Sequence, residues 1–136
     1  MSRHAARIAA MRAVYAMQFS NIQDMSRNQI FDELDLEQDD VQYFEEVLAG
    51  TELHKQEIDK HIENNINNWK MDRLPKVDLA VLRIAVYELL HRSDVPEGVT
   101  INEAVRIAKT HSTAKSGRYV NGVLSSINKE IEKNCP

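Results

Sequence analysis

Residues 77–90 read VDLAVLRIAVYELL, a stretch that as a helix would be apolar on nearly every side. Such a helix cannot lie at a surface, so other elements must surround it. The rest of the chain offers more helices: only four glycines and three prolines are present in 136 residues, and apolar side chains recur every three to four positions instead of alternating. No segment reads as a strand. The expected fold is all-α, a compact bundle of about seven helices around one buried central helix, at a length suited to a single domain over residues 1–136.

The spacing predicts a first helix from about Ser2 to Phe19, with Ile8, Met11, Tyr15 and Phe19 as its core stripe. Ser26 with Gln29 opens a short helix to Leu34, and Asp39 or Asp40 caps the next, which Gly50 would end. Thr51 would cap a fourth, with Ile58, Ile62 and Ile66 facing inward, and Pro75 suits the first turn of the central helix. Thr100 with Glu103 reads as a capping box for a sixth helix to His111. A last helix starts between Ser112 and Ser116 and turns Val120, Val123 or Leu124, Ile127 and Ile131 inward.

Charge is unevenly spread. The net charge is -4, yet the first 23 residues hold three arginines and no acid, and residues 104–129 hold five Lys/Arg and no acid. Between them, residues 24–63 carry thirteen acids against three bases. Side by side, the two acid-free segments would make a positive face on an acidic protein, the footprint of a polyanion partner; the alternative is chance solvated charge. Cys135 is the single cysteine and excludes an internal disulfide, which points to a reducing, cytoplasmic compartment. Arg12 and Gln18 interrupt the apolar residues of the first helix, so neither a secretory nor a membrane-spanning segment is expected.

Two constellations could meet nucleic acid. On the first helix Arg3 and Arg7 share a stripe while Arg12 falls nearly opposite, and Tyr15 is either a base-stacking ring or a core aromatic with its hydroxyl in water. In KSGRYVNGVL, Lys115, Arg118, Tyr119 and Gly122 fall at i, i+3, i+4 and i+7, two cations, a ring and a bare backbone spot on one face, with Asn121 able to add hydrogen bonds. The competing reading is that Gly122 allows close helix packing and Tyr119 belongs to the core. GRYVNG lacks the Lys-Ser/Thr of a phosphate loop.

His54, Glu57 and His61 share a helix face, but their spacing matches no usual zinc motif, and a solvated face is the preferred reading. No nucleophile elbow or dinucleotide fingerprint is present, so no enzyme, metal or cofactor is expected. Arg83, inside the most apolar helix, is either paired or lines a groove for a protein partner with Asp78 and Glu88.

NNWKMDRLPKVDLAVLRIAVYELLHRSDVP, INEAVRIAK and RYVNGVLSSI, in this order and spacing, closely resemble the NusB family of transcription antitermination factors. The likeness is specific from Trp69 to Ile127, and extends more loosely to AARIAAMRAVYAMQ. It implies an all-helical, non-enzymatic protein that pairs with the small-subunit ribosomal protein NusE. The pair would bind boxA single-stranded RNA within an RNA polymerase antitermination complex, acting on ribosomal RNA operons and in rRNA maturation.

The resemblance points to Arg3, Arg7, Tyr15, Lys115, Arg118, Tyr119 and Asn121 as RNA contacts, and to Asp78, Arg83, Tyr87 and Glu103 as the NusE surface. The opening SRHAAR has fewer cations than many family members, implying weak RNA affinity without NusE, whereas Lys115 replaces a family acid and favours RNA. Two other readings remain: the NusB-like domain of an rRNA cytosine methyltransferase, for which a chain ending at Pro136 has no catalytic fold, and a protein-interaction module that binds no RNA.

Overall fold

The computed structural model describes residues 3–19, 37–67 and 70–133. Among these are six α-helices and no strand: α1 (Arg3–Ala16), α2 (Gln38–Leu53), α3 (Lys55–Asn65), α4 (Lys76–His91), α5 (Glu97–His111) and α6 (Ala114–Lys133), with a single 3-10 turn at Met71–Arg73. The short helix expected from Ser26 to Leu34 lies outside the described residues, as do Trp69 and Cys135.

The apolar stretch is the centre of the bundle. From Asp78 to Glu88 every residue of α4 except Arg83 is buried, and all five other helices pack against α4. Its neighbours can be oriented from single bonds. Gln18 Nε2, just past α1, donates to the Lys76 carbonyl at 2.9 Å while Arg7 reaches Glu88, so α1 runs antiparallel to α4. Helix α6 starts beside Asp78 through Ser116 and ends near α3, where Glu130 meets His61 and Asn65, so it runs parallel to α4 and antiparallel to α3.

Several local expectations are corrected by packing. Tyr15 and Phe19 are not core but exposed at 37% and 38%; the buried face of α1 is made of Ala6, Ala9, Ala10, Ala13 and Val14 with Met11 and Arg7. Small side chains let α1 seat closely on its neighbours, a face that a search for large apolar residues overlooks. Gly50 does not end a helix; α2 runs through it to Leu53, and a Cβ at Gly50 would overlap the Tyr87 ring of α4. That glycine is there for close approach.

Thr51, expected as a cap, is buried inside α2, and α5 begins at Glu97 behind Pro96, three residues before Thr100. The Thr100 hydroxyl instead donates to Glu88 at 3.0 Å. Ile58, Ile62 and Ile66 face the core as expected, as do Val120, Val123, Leu124 and Ile127, while Ile131 is half-buried against it. No described helix is long and apolar enough to cross a membrane.

Candidate nucleic-acid interface

The start of α6 is pinned by its own hydroxyls. Thr113 Oγ1 accepts the Ser116 backbone N–H at 3.1 Å, as an N-cap does, and Ser116 Oγ donates to Asp78 Oδ2 at 2.9 Å. The buried Asp78 carboxylate thus lies at the positive end of the α6 dipole, where an acid is favoured. Its other oxygen and the Tyr119 hydroxyl are buried without a partner among the described residues. Burial, with the nearby Asp78 charge, raises the Tyr119 pKa, which keeps the phenol neutral.

With its first turn fixed, α6 turns Val120, Val123, Leu124 and Ile127 inward and leaves Lys115, Arg118, Asn121 and Gly122 exposed. Neither Lys115 nor Arg118 forms an ion pair or hydrogen bond among the described residues. Two open grooves adjoin here. One, of about 510 Å³, is lined by Ala114, Lys115, Arg118 and Tyr119. The second, about 520 Å³, continues past Arg118 and Tyr119 to Gly122, Ser126 and, across on α3, Asn65.

The two readings of Gly122 can now be separated. A Cβ built there meets nothing within 4 Å, so helix packing does not require the glycine. It leaves a strip of α6 bare where the second groove passes. Tyr119 is half-buried, packing against the core with its hydroxyl inside while also lining both grooves.

The opening helix contributes its C-terminal end. Tyr15 and Phe19 are exposed and meet edge to face, ring centroids 5.3 Å apart, and Gln18 anchors this end at Lys76, two residues before Asp78. Both acid-free segments therefore converge on the first turn of α4. Arg3 does not join them: it stands about 18 Å from Tyr15 along the helix axis. Its guanidinium lies over the Tyr43 ring, 4.5 Å from the centroid, and 3.8 Å from Asp94.

Arg7 is also placed differently from expectation. It is buried at 5% exposure and donates to both oxygens of Glu88, so it is not a surface cation. Burial alone would lower its pKa, but the hydrogen bond and charge of Glu88 outweigh that and hold it above the ordinary value.

The four residues expected to meet a protein partner do not form one patch. Asp78 is engaged by α6, and Arg83 makes a bidentate pair with Asp59 of α3 at 2.9 and 3.1 Å. Tyr87 packs on Gly50, and Glu103 accepts from His4 at 2.9 Å and from Arg7 at 3.5 Å. Each ties its helix to a different neighbour. The Asp59–Arg83 and Arg7–Glu88 pairs were not legible in advance, because nothing in a sequence links partners that far apart.

Comparison with known proteins agrees with this architecture. The NusB family model matches residues 4–129. A transcription antitermination protein NusB from Natranaerobius thermophilus is 41% identical over 98% of this chain and 99% of its own length. Among solved structures, a T. maritima NusB superposes with a TM-score of 0.83 at 34% identity, covering 96% of this chain and 92% of that one. A structure of antitermination factors NusB and NusE in complex with dsRNA matches at a TM-score of 0.78 and 28% identity, over 94% of this chain and 96% of that one. With its buried central helix, its pinned last helix and these full-length likenesses, the chain belongs to the NusB family.

Proposed function

We propose that this protein is a transcription antitermination factor that pairs with NusE and binds boxA-type single-stranded RNA along the start of α6. The observation that carries this is Lys115 and Arg118, unpaired among the described residues, beside two adjoining grooves that share Arg118 and Tyr119, the second passing the bare backbone at Gly122. The cations would hold phosphates, which supplies affinity and salt dependence, and the ring would take an unstacked base. Asn121, exposed on the same helix, adds an amide that can donate to or accept from a base edge. Tyr15 and Phe19 extend the aromatic surface from the end of α1.

NusE is the expected partner because one relative solved with dsRNA is a complex of NusB and NusE. With two free cations on the groove, the protein alone binds RNA weakly, and NusE completes the site. Residues 1–136 act as one RNA-binding domain, a binding factor and not an enzyme, within an RNA polymerase antitermination complex in the cytoplasm. The test is size-exclusion co-elution with purified NusE, followed by titration of a fluorescent boxA-like RNA with and without NusE across a salt series. Co-elution with RNA binding that tightens with NusE and weakens with salt is expected. NusE binding with no RNA binding at any salt would leave a protein-interaction module.

A further inference from the structure

The fold assembles a three-residue cluster that helical spacing alone could not show. His54 stands at the junction of α2 and α3, Glu57 follows in the first turn of α3, and His91 closes α4. His61, which shares a helix face with His54 and Glu57 in the sequence, turns instead to Glu130 of α6. In its place α4 delivers His91, whose Nε2 lies 2.9 Å from Glu57 Oε1; His54 Nδ1 lies 3.7 Å from the same oxygen.

We infer that His54, Glu57 and His91 form a binding site for a divalent transition-metal ion of the zinc type, clamping the end of the central helix to the α2–α3 junction. Two imidazole nitrogens and a carboxylate, with one open position left for water, are a donor set that zinc takes. The three ligand atoms lie within 4.8 Å of one another. Ligands 2.0–2.1 Å from a tetrahedral ion stand about 3.3 Å apart, between the two separations to Glu57, and the ion would turn one imidazole out of the stack so that both rings point at it.

The donors are held by backbone that does not need to fold around the ion. His54 N–H donates to the Gly50 carbonyl at 3.0 Å, and its own carbonyl accepts from Ile58 at 2.9 Å. The two imidazoles are already stacked, centroids 3.9 Å apart, and Tyr87 flanks His91 on α4 at 5.7 Å. His91 also sits at the C-terminal end of α4, where the helix dipole favours a cation, and all three side chains are partly open to solvent, giving the ion a path in.

The experiment titrates zinc chloride into tag-free protein carrying Cys135→Ser, which removes the lone thiol as a competing ligand, by calorimetry and by thermal unfolding. One zinc per chain at micromolar affinity is expected, with Tm raised by several degrees in excess zinc. His54→Ala and His91→Ala abolish both signals, and Glu57→Gln, which preserves size and hydrogen bonding, weakens binding by about tenfold or more. His61→Ala leaves both unchanged. No micromolar binding in the Cys135→Ser protein, or undiminished binding in a His54→Ala/His91→Ala variant with an unaltered helical spectrum, overturns the site.

Discussion

Arg7 and Glu88 form a bidentate ion pair inside the bundle, Nε 2.8 Å from Oε2 and Nη2 3.0 Å from Oε1, joining the opening helix to the central one. Glu88 is 1% exposed, and the Thr100 hydroxyl is its third donor. A buried pair of this kind is costly to break because the surviving charge stays buried. Arg7→Ala is expected to lower stability by about 3 kcal/mol or more, read by denaturant unfolding. Exchanging both partners for apolar residues of similar volume is expected to cost far less than the sum of the single changes. Because the side chain is buried and paired, RNA binding by Arg7→Ala has to be read beside its unfolding curve.

The bare strip at Gly122 separates stability from binding. Gly122→Ala places a methyl in open space within a helix and is expected to raise stability by about 0.5–1 kcal/mol. Gly122→Leu also folds but fills part of the groove, so RNA affinity falls by about tenfold, a loss of about 1.4 kcal/mol. Circular dichroism melts and RNA titration of both variants check this. Unchanged affinity in the leucine variant would remove this strip from the RNA path.

Gly50 gives the opposite outcome. Its missing Cβ is occupied by the Tyr87 ring, so Gly50→Ala must push α2 away from α4 or tilt the ring. Overpacking at such a site costs about 1–3 kcal/mol even though alanine is the better helix former. A lowered denaturation midpoint is the expected reading.

Alkaline stability should report Tyr43. Burial, reinforced by the Glu88 charge against the opposing pull of Arg7 and Arg92, pushes its phenol up to about 12 from the ordinary 10.0. Between those values the folded state holds a proton that the unfolded chain has lost. The contribution is therefore full below pH 10, and stability falls as pH rises toward 12, by up to about 1.4 kcal/mol per pH unit from this group. Urea midpoints across that range should decline more gently in Tyr43→Phe.

The central helix was legible because VDLAVLRIAVYELL leaves no polar face, and the inward rows of α3 and α6 followed from large aliphatic residues at helical spacing. The α1 face was misjudged because its buried residues are alanines, whose value lies in permitting close approach and not in their own bulk. At the candidate RNA site, KSGRYVNGVL showed its exposed cations directly, since a solvated face needs no tertiary information. Arg3 and Arg7 join it in the sequence through their shared stripe and the family resemblance, but where α1 crosses Tyr43 and Glu88 is a tertiary fact. The same holds for His91, which only the end of α4 brings to His54 and Glu57.

The most direct test of the α6 groove is the affinity of the NusE heterodimer for boxA-like RNA when Lys115→Glu and Arg118→Glu are combined. The account predicts that the heterodimer forms as before, since neither side chain is paired among the described residues, while RNA affinity falls by about 100-fold or more and its salt dependence flattens. Wild-type RNA affinity in an intact variant heterodimer would contradict it and place the RNA on another face.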